Sequence, residues 1–128
     1  MTLVEHALRG AVLEPDRPCR LRIGLPWYRS LPLSAILGID LTLDGRSVTG
    51  LRLRSRDRVV PVGALATQHA SWFLQDRYEL EWDGPAPSAP TAEVVVRMRL
   101  QLPNLVGPGG SAVQVLQEVR ASVPARAA

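Results

Sequence analysis

Few residues in this 128-residue chain are of the types that perform covalent chemistry. The two histidines, His6 and His69, stand far apart, and neither falls in a metal-ligand pattern with carboxylates or a second histidine. Each reads as a surface or partly satisfied histidine. Ser30 and Ser34 have no recognisable base, and nothing resembles a nucleophile elbow. Glu79 and Glu81 alternate onto the outward face of one strand, which suits a general acid/base pair. The stronger reading is a set of cross-strand ion pairs with Arg97 and Arg99 on a neighbouring strand, which explains these carboxylates without catalysis. Gly107-Pro108-Gly109-Gly110 lacks the helix start and the fixed Lys or Ser/Thr of a phosphate cradle and reads as a turn. With one cysteine, Cys19, neither an intrachain disulfide nor a Cys-x-x-Cys metal site is possible. The residues therefore assign no catalytic, cofactor-binding or metal-ligating position to this chain.

Binding chemistry is better represented. In Leu25-Pro26-Trp27-Tyr28-Arg29-Ser30-Leu31-Pro32-Leu33-Ser34, two prolines fix their own φ and push the preceding leucines toward extended backbone. The residues between them lose little entropy on meeting a partner. Trp27, Tyr28 and Arg29 are the side-chain types that dominate interface hot spots. With Leu31, Pro32 and the later Trp72 they form the candidate partner or substrate-pocket interface. The competing reading is that Trp27 or Tyr28 caps the open end of a β core.

A net charge of +3 and a pI near 10.0 raise the question of an acidic partner. All fifteen basic residues are arginine, which reads first as coding bias. The densest run, Arg52-Leu53-Arg54-Ser55-Arg56-Asp57-Arg58, alternates with Leu51, Leu53, Val59 and Val60. That pattern suits a solvated or partner-facing strand better than a phosphate-binding stripe, so no nucleic-acid partner is expected.

These residues must be positioned by strands. Val94, Val96, Met98, Leu100 and Leu102 alternate with Glu93, Val95, Arg97, Arg99 and Gln101, a long half-buried strand. Similar alternation runs through Leu21, Ile23 and Leu25, through Leu37, Ile39, Leu41 and Leu43, and through Tyr78, Leu80 and Trp82. Asp44-Gly45 signals a two-residue hairpin joining the Ile39 strand to the segment from Ser47 to Arg54. Three prolines between Asp83 and Pro90 separate two strands, and pairing Tyr78–Trp82 antiparallel with Ala92–Leu102 would place Glu79 opposite Arg97. One short helix over Val62–His69 is the only helical signal. The expected fold is all-β: an antiparallel sandwich of about seven to eight strands with at most one short helix. A single domain would span residues 1–120 and a tail 121–128. No basic start followed by an apolar run and no membrane-length apolar stretch is present, so a soluble, cytoplasmic chain is expected.

The block from Leu25 to Ser34, the strand Ile39–Leu43 and the turn Asp44-Gly45 resemble, in order and spacing, the start of the C-glycoside deglycosidase beta subunit family. Trp72-Phe73 followed by Asp76, and the strand from Val94 to Pro103, are similar to its middle and closing elements, while residues 48–70 and those after Gly110 follow no shared pattern. The resemblance implies a non-catalytic small subunit of a carbon–carbon lyase, with no activity of its own. By the same resemblance its partner is a larger (β/α)₈ barrel, similar to sugar-phosphate isomerases, that holds a divalent metal, expected to be manganese, and the catalytic histidine. The substrate would be the 3-oxo form of an aromatic C-glycoside. Its carbonyl acidifies the neighbouring sugar C–H, and the aglycone leaves by elimination. The alternative reading is a stand-alone carbohydrate or aglycone binding module in which Trp27, Tyr28 and Trp72 stack on a ring.

Overall fold

Alternating apolar residues leave one face of every long strand seeking cover. A computed structural model of the chain describes residues 7–15, 18–27, 30–55, 58–73, 75–84, 86–87, 89–106, 108–110 and 112–126, with backbone alone at 103–106, 108 and 112. In chain order the strands are β1 (Leu13–Glu14), β2 (Cys19–Gly24), β3 (Leu31–Pro32), β4 (Ile36–Leu43), β5 (Arg46–Ser47) and β6 (Arg52–Ser55). There follow β7 (Arg58–Pro61), β8 (Ser71–Trp72), β9 (Arg77–Trp82), β10 (Thr91–Val106) and β11 (Ala112–Pro124). Seven of them have four or more residues, which is the expected all-β content. The helix expected over Val62–His69 is a 3₁₀ turn, Val62–Thr67, and shorter 3₁₀ turns occupy Leu33–Ala35 and Pro108–Gly110. No helix among the described residues is long and apolar enough to cross a membrane.

Two antiparallel sheets carry the fold, one in the order β1-β2-β9-β6-β7 and the other β11-β10-β4-β5. Their inner faces meet in one core. Leu21, Ile23, Tyr78, Leu80, Trp82 and Leu53 come from the first sheet, and Leu41, Val94, Val96, Met98, Leu100 and Val119 from the second. β3 and β8 make a separate two-stranded ribbon with Leu31 opposite Trp72 and Pro32 opposite Ser71.

The Asp44-Gly45 turn forms as expected, with φ of 49° and 82° at its central residues. It joins β4 to β5, but only Arg46 and Ser47 follow in that sheet. The Asp44 carboxylate also accepts the Glu93 N–H at 2.9 Å, tying the turn to the start of β10. In β4 the predicted face shifts. Leu100 pairs with Ile36 and Arg99 with Gly38, so Leu37 is an extra residue on its strand. The bulge turns Ile36 into the core and leaves Leu37 half-buried. Gly38 lies so close under the Arg99 guanidinium that a Cβ there would sit 2.9 Å from Nη2.

The hairpin expected between Tyr78–Trp82 and Ala92–Leu102 does not exist. β9 lies between β2 and β6, whereas β10 lies between β4 and β11 in the other sheet. Hairpin loops favour two to five residues. The proline-rich segment between Trp82 and Thr91 is longer, and it crosses from one sheet to the other. Arg97 consequently faces Glu118 on β11 and Asp40 on β4, never Glu79. The expected tail at 121–128 is also structured as far as it is described. Ala121–Pro124 complete β11, the Ala125 N–H donates to the Pro90 carbonyl, and the Arg126 N–H donates to that of Leu13.

Leu80 is wholly buried on the central strand of its sheet, so Leu80→Ala should cost about 2–5 kcal/mol in chemical denaturation. A second test reads the β10–β11 pairing. Arg97 Nε donates to Glu118 Oε1 at 2.7 Å. That hydrogen bond holds the Glu118 carboxyl below the ordinary glutamate value; partial desolvation opposes it, and the charges of Arg97 and Arg120 add to it. A lowered folded-state pKa stabilises the protein above the unfolded value, and that contribution is lost as pH falls through the folded one. Glu118→Gln should therefore lose less stability than the parent between neutral pH and pH below the glutamate range. The difference will be small, because the pair is about half exposed.

Candidate functional site

The loop after β2 and the β3–β8 ribbon meet at one corner of the sandwich. Leu25 and Pro26 are buried at the end of β2, and Trp27 lies half-buried against the core. Tyr28 and Arg29 lie outside the described residues. Beyond them Ser30 is exposed, Leu31 is 2% exposed and Pro32 is half-buried. Leu31 is paired with Trp72, so residues some forty positions apart are brought together.

Trp72 itself is fully buried. Its indole N–H donates to the Asp76 carbonyl at 3.0 Å, and its ring stacks on Tyr78 with centroids 4.8 Å apart. The Tyr78 hydroxyl donates to the Ser71 carbonyl at 3.3 Å. These contacts fix the corner from within. The aromatic that the corner turns outward is the next residue, Phe73, 47% exposed and absent from the sequence-based set. Strand alternation carried the signal, since consecutive residues of β8 and its continuation must face opposite ways. Trp27, Pro32 and Phe73 are thus the partly exposed apolar side chains of this loop and ribbon, a candidate rim beside the Trp72–Tyr78 stack.

A second feature lies on the outer face of the five-stranded sheet. β9 runs between two arginine-bearing strands, so Arg20 and Arg52 flank Glu81, and Arg22 and Arg54 flank Glu79. One of these carboxylates, Glu81, forms a cross-strand ion pair, with Arg54 of β6 in place of the expected Arg97 and Arg99. Glu81 is 1% exposed and is held through both oxygens by the Arg54 guanidinium. Arg52 makes a bidentate contact to Asp83 at 3.1 and 3.3 Å. These bonds raise both guanidinium pKa values above the ordinary arginine value; the hydrogen bond to the carboxylate is the main cause in each case.

Beside this row lies a cavity of about 450 Å³ bordered by Arg22, Arg54, Arg77, Arg126, Glu14 and Glu79. Arg126 reaches Glu14 at 3.4 Å, and Arg77 donates to the Ala7 carbonyl at 3.3 Å. These two contacts brace the N- and C-terminal segments against the sheet. Arg52 and Arg54 of the basic run are committed to carboxylates, while Arg58 is exposed and Arg56 lies outside the described residues. His69 is exposed after the Val62–Thr67 turn, and His6 is outside the described residues. Among the described residues no three His, Cys, Asp or Glu side chains are grouped to hold a metal ion.

The burial of Glu81 generates a ranking. Glu81→Ala removes the buried carboxylate that holds the Arg54 guanidinium, whereas Glu79 is only half-buried. Urea denaturation should show a clear loss for Glu81→Ala and a change near the ±0.5 kcal/mol typical of surface sites for Glu79→Ala.

No protein-family model matches the chain. It is similar to the 3'-dehydrocarminate deglycosidase beta subunit of a Microbacterium species, with 34% identity over 104 residues, covering 77% of this chain and 76% of that relative. It is 30% identical over 108 residues to the C-glycoside deglycosidase beta subunit of Arthrobacter globiformis, covering 81% of this chain and 80% of the relative. It is 29% identical over 106 residues to the protein of the same name from Microbacterium trichothecenolyticum, covering 80% and 81%. Identity at this level over most of both chains means that the protein belongs to the C-glycoside deglycosidase beta subunit family.

Proposed function

We propose that this chain is the non-catalytic small subunit of a C-glycoside deglycosidase and completes the pocket of a larger catalytic subunit. The observation that carries the reading is the similarity, over about four-fifths of the chain, to proteins named as beta subunits. In this reading the partner is a (β/α)₈ barrel holding a divalent metal, manganese, and it carries out the carbon–carbon cleavage of a 3-oxo-C-glycoside. The small subunit contributes shape. Its corner at Trp27, Pro32 and Phe73 packs against the partner beside the pocket and excludes water from it. The aromatic aglycone would meet this rim. Support comes from the half-exposed apolar side chains on a corner locked by the Trp72–Tyr78 stack, since a preformed surface loses little entropy on docking.

Co-expression with the barrel subunit tests the proposal. The two chains should co-purify, and cleavage of a 3-oxo-C-glycoside should require both. Phe73→Ala and Trp27→Ala should each weaken assembly by about 2 kcal/mol, roughly thirtyfold, if they anchor the contact. Phe73→Ala should leave the melting temperature of the small subunit nearly unchanged. Cleavage by the small subunit alone would overturn the non-catalytic assignment. Saturable binding of the glycoside to the chain alone, with no assembly, would replace this reading with that of a stand-alone binding module.

A further inference from the structure

The four-stranded sheet ends in an unusual edge. Among the described residues the other sheet borders are short: β1 and β5 have two residues each, and β7 has four. β11 is thirteen residues long. One side of it is paired with β10 in unbroken register from Thr91 opposite Pro124 to Gln101 opposite Gln114. Among the described residues its other side meets only a single bridge, between Ala125 just beyond the strand and Leu13. Natural edges are usually blunted by proline, lysine, a bulge or brevity. The one proline of β11, Pro124, is its last residue, its exposed charges Glu118 and Arg120 are of opposite sign, and the irregularity in the β10–β11 ladder lies beyond Gln101, toward its tip. Leu116 is the most exposed large apolar residue described, at 60%.

We propose that this edge pairs with the same edge of a second copy of the chain, antiparallel about a two-fold axis at Val119. The side chains select that register. Gln114, Leu116, Glu118, Arg120 and Ser122 form the exposed row, while Val119 and Val123 face the core. A one-residue slip would set the core row of one copy against the exposed row of the other, so the axis must coincide with a residue position. An axis at Glu118 opposes two carboxylates, and one at Arg120 opposes two guanidiniums. At Val119 each Glu118 faces Arg120 of the second copy and each Arg120 faces Glu118, the favourable cross-strand arrangement made twice by symmetry. Within one chain Arg97 already bonds Glu118 at 2.7 Å, while Arg120 approaches the same carboxylate only at 4.0 Å. The second copy's Arg120 would continue an Arg–Glu–Arg row across the joint. Leu116 would lie opposite Ser122, and the shared sheet would have eight strands. This inference does not depend on the proposed enzymatic role.

Register-specific cross-linking tests it on the full chain, alone and in its assembly. Residues opposite one another in antiparallel strands have Cα atoms about 4.5–5.5 Å apart, within disulfide reach. The native Cys19 is 1% exposed and will not interfere. Leu116→Cys combined with Ser122→Cys should give a covalent dimer on mild oxidation, seen on a non-reducing gel. Gln114→Cys combined with Ser122→Cys, which is out of register, should not. Arg120→Glu should lower the number of copies per particle from two to one, or halve it in the assembly, as read by light scattering. A parent chain present as a single copy in both forms would overturn the proposal, as would cross-linking that is indifferent to register.

Discussion

The connection between Trp82 and Thr91 decides which strands share a sheet, and much of the molecule depends on it. Prolines in that stretch cannot donate to a ladder, so the chain cannot turn back upon β9 at once. It crosses to the opposite layer. β9 becomes the centre of one sheet and β10 a central strand of the other, so each gains partners on both sides. The Ala125 N–H closes the crossing by bonding to the Pro90 carbonyl, which holds the end of β11 to the loop.

The placement of β9 also organises the charges. A strand carrying Glu79 and Glu81 is flanked by Arg20 and Arg22 on one side and Arg52 and Arg54 on the other. A carboxylate as buried as Glu81 is tolerated because a guanidinium saturates it through two donors. Arginine suits this better than lysine, since its planar fork bonds a carboxylate bidentately while its stem covers the sheet. The arginine-only composition, whatever its origin in coding, is used here structurally. On the sheet's outer face Glu81 is paired with Arg54 and Arg52 with Asp83, so part of the arginine charge is neutralised in place.

The sequence made the inner faces legible because burial leaves a period-two trace that single residues cannot hide. Leu21, Ile23, Leu80, Val94, Val96 and Met98 all point where their spacing says. The Asp44-Gly45 turn was equally readable, since positive φ at consecutive positions narrows the residue choice. Strand partnership was not. Glu79 and Glu81 advertise a need for cations, but Arg97, Arg22 and Arg54 meet that need equally well on paper. Only the crossing loop chooses among them. The bulge at Leu37 was hidden for a related reason: Ile36 and Leu37 are both apolar, so the pattern permits either to enter the core.

At the candidate site, residue type misled where residue phase did not. Tryptophan is the usual anchor of an interface, yet Trp72 pairs opposite Leu31, stacks on Tyr78 and spends its N–H on Asp76. A buried tryptophan with a satisfied donor sets the shape of a surface without forming part of it. Its neighbour Phe73 has no polar atom to satisfy and is turned outward by alternation, so it can be left exposed only at the expense of solvation unless something covers it. Trp27 sits between these cases, with one side on the core and the remainder toward the rim. The two readings of the loop, core cap and partner anchor, are therefore compatible. The packing that fixes one side of Trp27 is what would let its other side act as a preformed contact.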